Sequence, residues 1–522
     1  MAYFPQRIAT QRGNHPALAD ERGSTTWDAF NQRTNQLING LRNLGLGSGD
    51  VIAIYAGNCR EYYEIMMAAN HAGLVYVPVN WHFSAEELAY VIADSGARVL
   101  LAEEPFLPAA RAAADRGETP NLETCIAIRG SGSADTDFSD YEALLAGSST
   151  SEPEDQGAGG PMFYTSGTTG RPKGVKSSTF APGGPLQVLE MIGSGMSQLL
   201  GIPADGHTFI CGPVYHSAQW AFSFLPLLAG SQVVMRHRFD PAETLQVIDD
   251  HKITNVHLVP TQFHRLLRLP DAEREAFSGQ SLQVVWHGAA PCPPEVKRRM
   301  IDWWGPVVAE YYGSTEGSIV TTASADDWLA RPGTVGKPSP LVEVTIRDDQ
   351  GELCAQGEAG QVYVKSLMGS DFEYHNEPDK TADAHLEPGT YTFGDIGYLD
   401  AEGFLFLSDR KIDMIISGGV NIYPAEIEAV LVTHPAVEDA AVFGIPNEEF
   451  GEEVKAAVKL QQGYAASSEL SAEIIGYCQE HLARYKAPKS IDYEAEFPRH
   501  ETGKLYKRLL RDRYWQDSAR KI

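Results

Sequence analysis

The stretch that most constrains this chain is Phe163 to Gly174, FYTSGTTGRPKG. It carries hydroxyls at Thr165, Ser166, Thr168 and Thr169, glycines at Gly167, Gly170 and Gly174, and cations at Arg171 and Lys173. Glycine lets successive backbone N–H groups turn toward one point. Hydroxyls and cations add donors to the same concavity, and together they have the chemistry of a polyphosphate cradle. Pro172 stands where a Walker A loop has the second glycine before its lysine, so this is not a loop of that kind. An exposed polar loop of no function would share the polarity, but not this order of donors.

The formal net charge of −27 sets the surface against nucleic acid and anionic membrane as partners. It also means that a polyanionic ligand must be held by a local group of cations, which the loop supplies. At 522 residues the chain is too long for one ordinary domain and long enough for two or more sizeable cores. With 43% apolar and 21% charged residues it has the composition of a folded protein. Cys59, Cys125, Cys211, Cys292, Cys354 and Cys478 are scattered with no C-x-x-C pair. That spacing argues against a disulfide framework or zinc site and for a reducing cytoplasm. The opening MAYFPQRIATQRG lacks the apolar segment of a signal peptide, and no apolar run reaches the ~20 residues of a membrane span.

Strand and helix patterns alternate along the first half. Trp27, Phe30, Leu37, Ile38, Leu41 and Leu44 recur at helical spacing after Ser24, Thr25 and Thr26. Val51 to Tyr55 reads as a strand, 60–72 as a helix, and VYVPVN (75–80) as a strand. Ser84 and Glu87 have the spacing of a capping box, and Arg98 to Ala102 reads as a further strand. Residues 130–160, rich in Gly, Ser, Asp and Glu, read as a surface connection. Alternation resumes with QVVM (232–235), NVHLV (255–259) and LQVVW (282–286). This predicts a doubly wound α/β layer with a mainly parallel sheet, whose ligands sit beyond the carboxyl ends of the strands. HGAAP (287–291) and YYGSTEG (311–317) fall at such ends. From about 330 to 410 short strands and Gly-rich turns predict an antiparallel subdomain or barrel. Beyond a boundary near 410, a helix from Pro424 to Leu431, a strand from Glu438 to Phe443 and a helix near 469–484 predict a small α+β domain.

Glu316, at a strand end downstream of the loop, is a candidate ligand for the Mg²⁺ that accompanies a nucleoside triphosphate, although a carboxylate in a turn is often simply solvated. Asp395 in GDIG can accept two hydrogen bonds from a ribose diol, or can be a turn-forming aspartate. Lys504, after a Thr–Gly turn, can reach into a cleft and stabilise charge developing on a phosphate; most lysines are solvated surface. His216 follows an apolar run, where a packed histidine is commoner than a catalytic one.

FYTSGTTGRPKG, HGAAP, YYGSTEG, FGDIG, DRKIDMIISGGVNIYPAEIE and PRHETGK occur in this order from about residue 10 to 515. Together they resemble the acyl-adenylate-forming superfamily: acyl-CoA synthetases, adenylation domains of peptide synthetases, and luciferases. MIISGGVNIYPAEIE and FGIPNEEFGEEVKAAV are most similar to acyl-CoA ligases, enzymes of fatty acid metabolism among them. The resemblance implies a large N-terminal domain (1–409) of doubly wound sheets with a small β-barrel subdomain, and a small mobile α+β C-terminal domain (410–522). It implies two half-reactions with ATP, Mg²⁺ and coenzyme A. A carboxylic acid and ATP give acyl-AMP and pyrophosphate; the CoA thiol then gives thioester and AMP. A homodimer is one arrangement open to such a chain.

The resemblance also implies roles for residues. Thr165, Ser166, Gly167, Thr168, Thr169, Gly170 and Lys173 would cradle the β- and γ-phosphates, with Thr168 and Glu316 near the metal. Gly288, Ala289 and Ala290 would lie along the adenine and Tyr312 on its face, beside Gly313. Thr315 would touch the α-phosphate, and Asp395 and Arg410 the ribose. Lys504 would bridge carboxylate and α-phosphate. Gly418 and Gly419 would line the pantetheine tunnel, Phe450, Tyr485 and Lys486 would meet the CoA nucleotide, and His216 would gate the acyl site. His216, Gln219, Trp220, Val259, His287, Gly288 and Thr315 would line the acyl pocket. No fixed cation stands among them, which predicts an apolar acid, either fatty, aromatic or cyclic; Trp220 is there to shorten a tunnel or simply to fill core.

Three positions depart from the family pattern. Phe393 replaces the usual Thr of the ribose motif, with Thr392 one residue earlier; Val420 replaces a common glutamate; and Ile412 replaces the usual Asp or Lys of the hinge. An apolar hinge leaves open a chain in which one half-reaction, such as adenylation, is weak, as well as simple drift. A stand-alone enzyme loading a carrier-protein thiol and a non-catalytic relative are the other readings. Pyrophosphate exchange followed by the choice between CoA and a holo-carrier protein separates the two enzyme readings; failure to form any thioester, from free acid with ATP or from acyl-AMP, marks the non-catalytic one.

Overall fold

The computed structural model of the protein describes residues 4–130, 137–165, 172–410, 413–417, 420–447, 450–499 and 505–515. Local signals explain most of its elements. The helix Trp27–Asn43 starts where the Thr26 hydroxyl accepts from the Ala29 N–H at 3.3 Å. It buries Trp27, Phe30, Leu37, Ile38 and Leu41 along one stripe. Each fully buried side chain of that size contributes about 1.5–3 kcal/mol. Ser84 and Glu87 form the predicted capping box of the helix Ala85–Ser95.

Two sheets form the α/β layers. One has six parallel strands, in the spatial order Ser139–Asp140, Thr124–Ile128, Val99–Glu103, Val51–Tyr55, Val75–Pro78 and Gly160–Pro161. The other, of fourteen strands, is parallel in one half: Pro16–Asp20, Gln232–Met235, His207–Ile210, Asn255–Leu258, Val284–His287 and Val308–Ser314. Its other half is antiparallel and runs through Ser318–Ala323, Thr334–Pro338, Leu405–Arg410, Thr390–Leu399 and Gly360–Ser366 to Val342–Arg347. The predicted barrel is thus continuous with the large sheet, because Thr334–Pro338 pairs both with Ser318–Ala323 and with Leu405–Arg410.

A small antiparallel sheet joins Phe163–Thr165, Lys173–Ser177 and Phe372–Tyr374. The C-terminal part has its own five-stranded sheet and its own apolar cluster around Ile415, Ile427, Leu431, Val442, Val458 and Ile474. Residues 139–161 are more than a connection. They hold a short helix, Tyr141–Ala146, capped by Asp140, that buries Tyr141 and Leu145. Its six residues are too short for a periodic apolar pattern to show in sequence. No helix among the described residues is long and apolar enough to cross a membrane.

Candidate active site

The two ends of the stretch that dominates the sequence pair as antiparallel strands. Thr165 pairs with Lys173, Tyr164 with Gly174 and Phe163 with Val175. Ser166, Gly167, Thr168, Thr169 and Gly170 lie outside the described residues, as do Ile412, Gly418, Gly419 and Lys504. The Tyr164 hydroxyl donates to Asp94 Oδ2 at 2.6 Å and ties the hairpin to the six-stranded layer.

Beside the hairpin lies a cavity of about 410 Å³. Four elements converge on it: the hairpin, the start of the helix Ser217–Ala229, the carboxyl end of the strand Val308–Ser314, and the strand Thr390–Leu399. This is where a doubly wound sheet places its ligands. The wall has a polar rim and an apolar depth. Thr165, Lys173, Thr315, Glu316, Tyr374 and Thr392 belong to the first; Phe163, Phe180, Trp220, Phe222, Tyr311 and Ile319 belong to the second.

At the rim, Ser314 Oγ accepts from the N–H groups of Glu316 and Gly317, both at 3.1 Å, which shapes the turn. Thr315 Oγ1 lies 2.7 Å from Ser217 Oγ. Glu316 Oε1 accepts from the Tyr374 hydroxyl at 2.9 Å. The Lys173 ammonium sits 5.1 Å from the centre of the Tyr374 ring. Burial pushes the Lys173 pKa down and Lys380 adds to this, while Glu377 and Glu316 oppose it. An anionic ligand would favour its charged form. Among the described residues no three His, Cys, Asp or Glu side chains cluster as a metal site. Mg²⁺ takes one or two carboxylates together with substrate phosphates, a donor set to which Glu316 could contribute.

Tyr312 and Asp395 are joined directly, the tyrosine hydroxyl donating to Oδ2 at 2.6 Å. Asp395 is paired in register with Arg410. Thr392 and Phe393 both line the cavity, and the Thr392 hydroxyl accepts from the Gln361 amide at 3.1 Å and from the Gly394 N–H at 3.0 Å. Ala289 lines the wall with a left-handed φ of 66°. Ala290 follows it, half-buried. Gly288 has to be glycine, since a Cβ there would meet the Tyr311 ring at 2.5 Å.

Several predicted pocket residues stand behind the wall. Strand alternation sends His257, Trp286 and Tyr311 to the cavity side of the large sheet. His287 goes to the other side, against Phe263, Lys297 and Glu310. Gln219 is buried, its Nε2 2.9 Å from His257 Nδ1, and His257 Nε2 is 3.1 Å from the Tyr311 hydroxyl. Val259 is buried where it leads into the helix Pro260–Leu267. His216 precedes the helix Ser217–Ala229, its ring 4.3 Å from that of Tyr215. Helical period would have selected Ser217, Ala218 and Ala221, which do line the cavity. Tyr374 had no local signal.

In the C-terminal part Phe450 and Tyr485 are about half exposed, and the Lys486 ammonium is held by both oxygens of Glu426 at 2.7 Å. An ion pair, Arg268 to Glu438 at 3.1 Å, joins this part to the helix beside the large sheet.

The sequence matches the family model of the AMP-binding enzyme over residues 5–368, and that of the AMP-binding enzyme C-terminal domain over 426–504. It is 31% identical over 520 residues to a fatty acid–acyl-carrier-protein ligase of Streptomyces coeruleorubidus, covering 97% of this chain and 95% of that protein. It is 30% identical over 522 residues to a feruloyl-CoA synthase of an Amycolatopsis species, covering 98% of each. The fold matches the solved structure of o-succinylbenzoate CoA synthetase from Bacillus subtilis in complex with its acyl-adenylate intermediate. That match has a TM-score of 0.80 and 28% identity over 100% of this chain and 99% of that one.

Proposed function

Because the chain belongs to the AMP-binding enzyme family, we propose that it is an AMP-forming acid–thiol ligase acting on an apolar carboxylic acid and coenzyme A. The observation that carries this is the single cavity in which Lys173, Thr315 and Glu316 form one rim above an apolar pocket. A carboxylate is a poor electrophile. In the first half-reaction its oxygen attacks the α-phosphorus of ATP, and the bond to pyrophosphate breaks. In the second, the thiol sulfur attacks the acyl carbon, the thiol proton goes to solvent, and AMP departs.

In this reading Lys173 and the hairpin tip hold the β- and γ-phosphates, and Thr315 meets the α-phosphate. Ser217, 2.7 Å from Thr315, orients that hydroxyl. Asp395, aligned by Tyr312, takes the ribose with Arg410. Glu316 and Thr168 would hold Mg²⁺, which supplies charge neutralisation at the phosphates. Residues 410–522 form the moving part that carries Lys504, and the chain works in a reducing compartment such as the cytoplasm. Similarity to a carrier-protein ligase favours one second reading, a carrier-bound thiol as acceptor.

The test is to supply acid, ATP and either CoA or a holo-carrier protein, and to follow AMP, pyrophosphate and thioester. One AMP and one pyrophosphate per thioester are expected; ADP release, or no acid-dependent pyrophosphate, contradicts the reading. Lys504→Ala should abolish acyl-AMP formation and largely spare thiol attack on supplied acyl-AMP. Equal loss of both steps would remove Lys504 from its role.

A further inference from the structure

The buried apolar part of the cavity wall is made of side chains that are themselves tied down. Trp220 is 5% exposed and lines the wall. Its indole N–H donates to the Tyr76 hydroxyl at 2.9 Å, and Tyr76, fully buried in the six-stranded layer, also accepts from Asn70 at 3.3 Å. Phe163 and Phe180 meet the indole edge-on at 5.6 and 5.5 Å, and Phe224 stacks on it at 5.7 Å. A close-packed, hydrogen-bonded indole of this kind has no free rotamer to swing into.

Another part of the wall is equally fixed. Phe222 packs against Tyr311 at 4.9 Å and stacks on His257 at 4.7 Å, and the Tyr311 ring rests on Gly288. Room is left on the helix by Ala218 and Ala221, one turn apart. That turn advances about 5 Å, the scale of one ring rather than of an extended chain. Ser217, at the same end of the helix, lies 2.7 Å from Thr315, so one turn of this helix carries both the polar contact at the rim and Trp220 of the apolar wall.

We propose that this pocket selects compact ring acids, aromatic or alicyclic, and rejects long unbranched acyl chains, with Trp220 as the residue that sets the limit. The inference rests on the ligase reading above. Aromatic walls present faces and edges that complement a flat ring, whereas an alkyl chain would have to displace Trp220 and break its hydrogen bond to Tyr76.

The test measures binding of stable acyl-sulfamoyl adenosines by calorimetry, with benzoyl, cinnamoyl, hexanoyl and palmitoyl groups, and turnover of the matching free acids. The native chain should favour the ring compounds over palmitoyl by at least about tenfold. Trp220→Ala should narrow or reverse that ratio. Phe180→Ala, which opens the same wall from a half-buried position without removing a hydrogen bond, should do so as well. Equal binding of palmitoyl by the native chain, or an unchanged ratio in both variants, overturns the inference and leaves the ligase reading standing. Failure of every analogue to bind overturns both.

Discussion

The Tyr374 hydroxyl donates to Glu316 Oε1 at 2.9 Å, while the ring of the same tyrosine lies 5.1 Å below the Lys173 ammonium. One side chain thus spaces the cation of the hairpin from the carboxylate of the YGSTEG turn. A hydrogen bond to a charged group is worth about 1.5–3 kcal/mol. Tyr374→Phe keeps the ring for Lys173 and removes the hydroxyl that donates to Glu316. Acid-dependent ATP–pyrophosphate exchange should fall by about tenfold, with a raised Mg²⁺ requirement. An unchanged Mg²⁺ dependence would reduce Tyr374 to a brace between strands.

Gly288 carries the Tyr311 ring. Gly288→Ala would set a methyl 2.5 Å from a ring carbon and 2.7 Å from the Tyr311 carbonyl oxygen. The ring is backed by His257 and Phe222, so it has little room to retreat. Overpacking of this kind costs about 1–3 kcal/mol, read as a lower urea midpoint at unchanged slope. A native midpoint would mean that the Tyr311 strand yields.

Buried histidines set an acid limit. Burial pushes His257 down to about 3. Burial first, then Arg268, Arg299 and Arg499, pushes His264 down to about 4. Burial, Lys297 and His257 hold His287 well below its ordinary value. Each is neutral when folded and protonated when unfolded below about pH 6.5, so the unfolded state binds more protons there. Stability is therefore fully present above about pH 6.5 and is lost as pH falls toward 4. Each histidine contributes a slope of up to about 1.4 kcal/mol per pH unit. Glu310, raised by burial against the pull of Lys297, works in the opposite sense over its own range. Urea midpoints at pH 7.5, 6 and 5 check this; equal values would contradict it.

The Arg268–Glu438 pair crosses from the N-terminal part to the C-terminal sheet, and its side chains are 41% and 26% exposed. Such a pair contributes at most about 1 kcal/mol to stability. Its effect should lie in domain pose. Arg268→Glu should leave the melting temperature within a few degrees and change the ratio of acyl-AMP formation to thiol attack, and Arg268→Glu with Glu438→Arg should restore it. A ratio that no variant or salt concentration moves would remove the pair from any role in pose.

What the sequence alone determined was everything with a short-range cause. The capping box at Ser84 and Glu87, the helical stripe after Thr26 and the strand-end positions of HGAAP and YYGSTEG all rest on contacts within a few residues, and they led to the fold and the site's general place. Tertiary structure alone decided which side chains face the cavity. Trp286 and His287 are neighbours, yet alternation sends them to opposite faces, and only the packed layers say which face is the pocket. Tyr374 meets Glu316 because Phe372–Tyr374 pairs with a strand some 200 residues earlier in the chain, a register that no local pattern encodes. Trp220 became a wall rather than plain core for the same reason. Its partners Tyr76, Phe163 and Phe180 come from other elements, and their mutual packing, not their spacing, fixes the indole in the cavity wall.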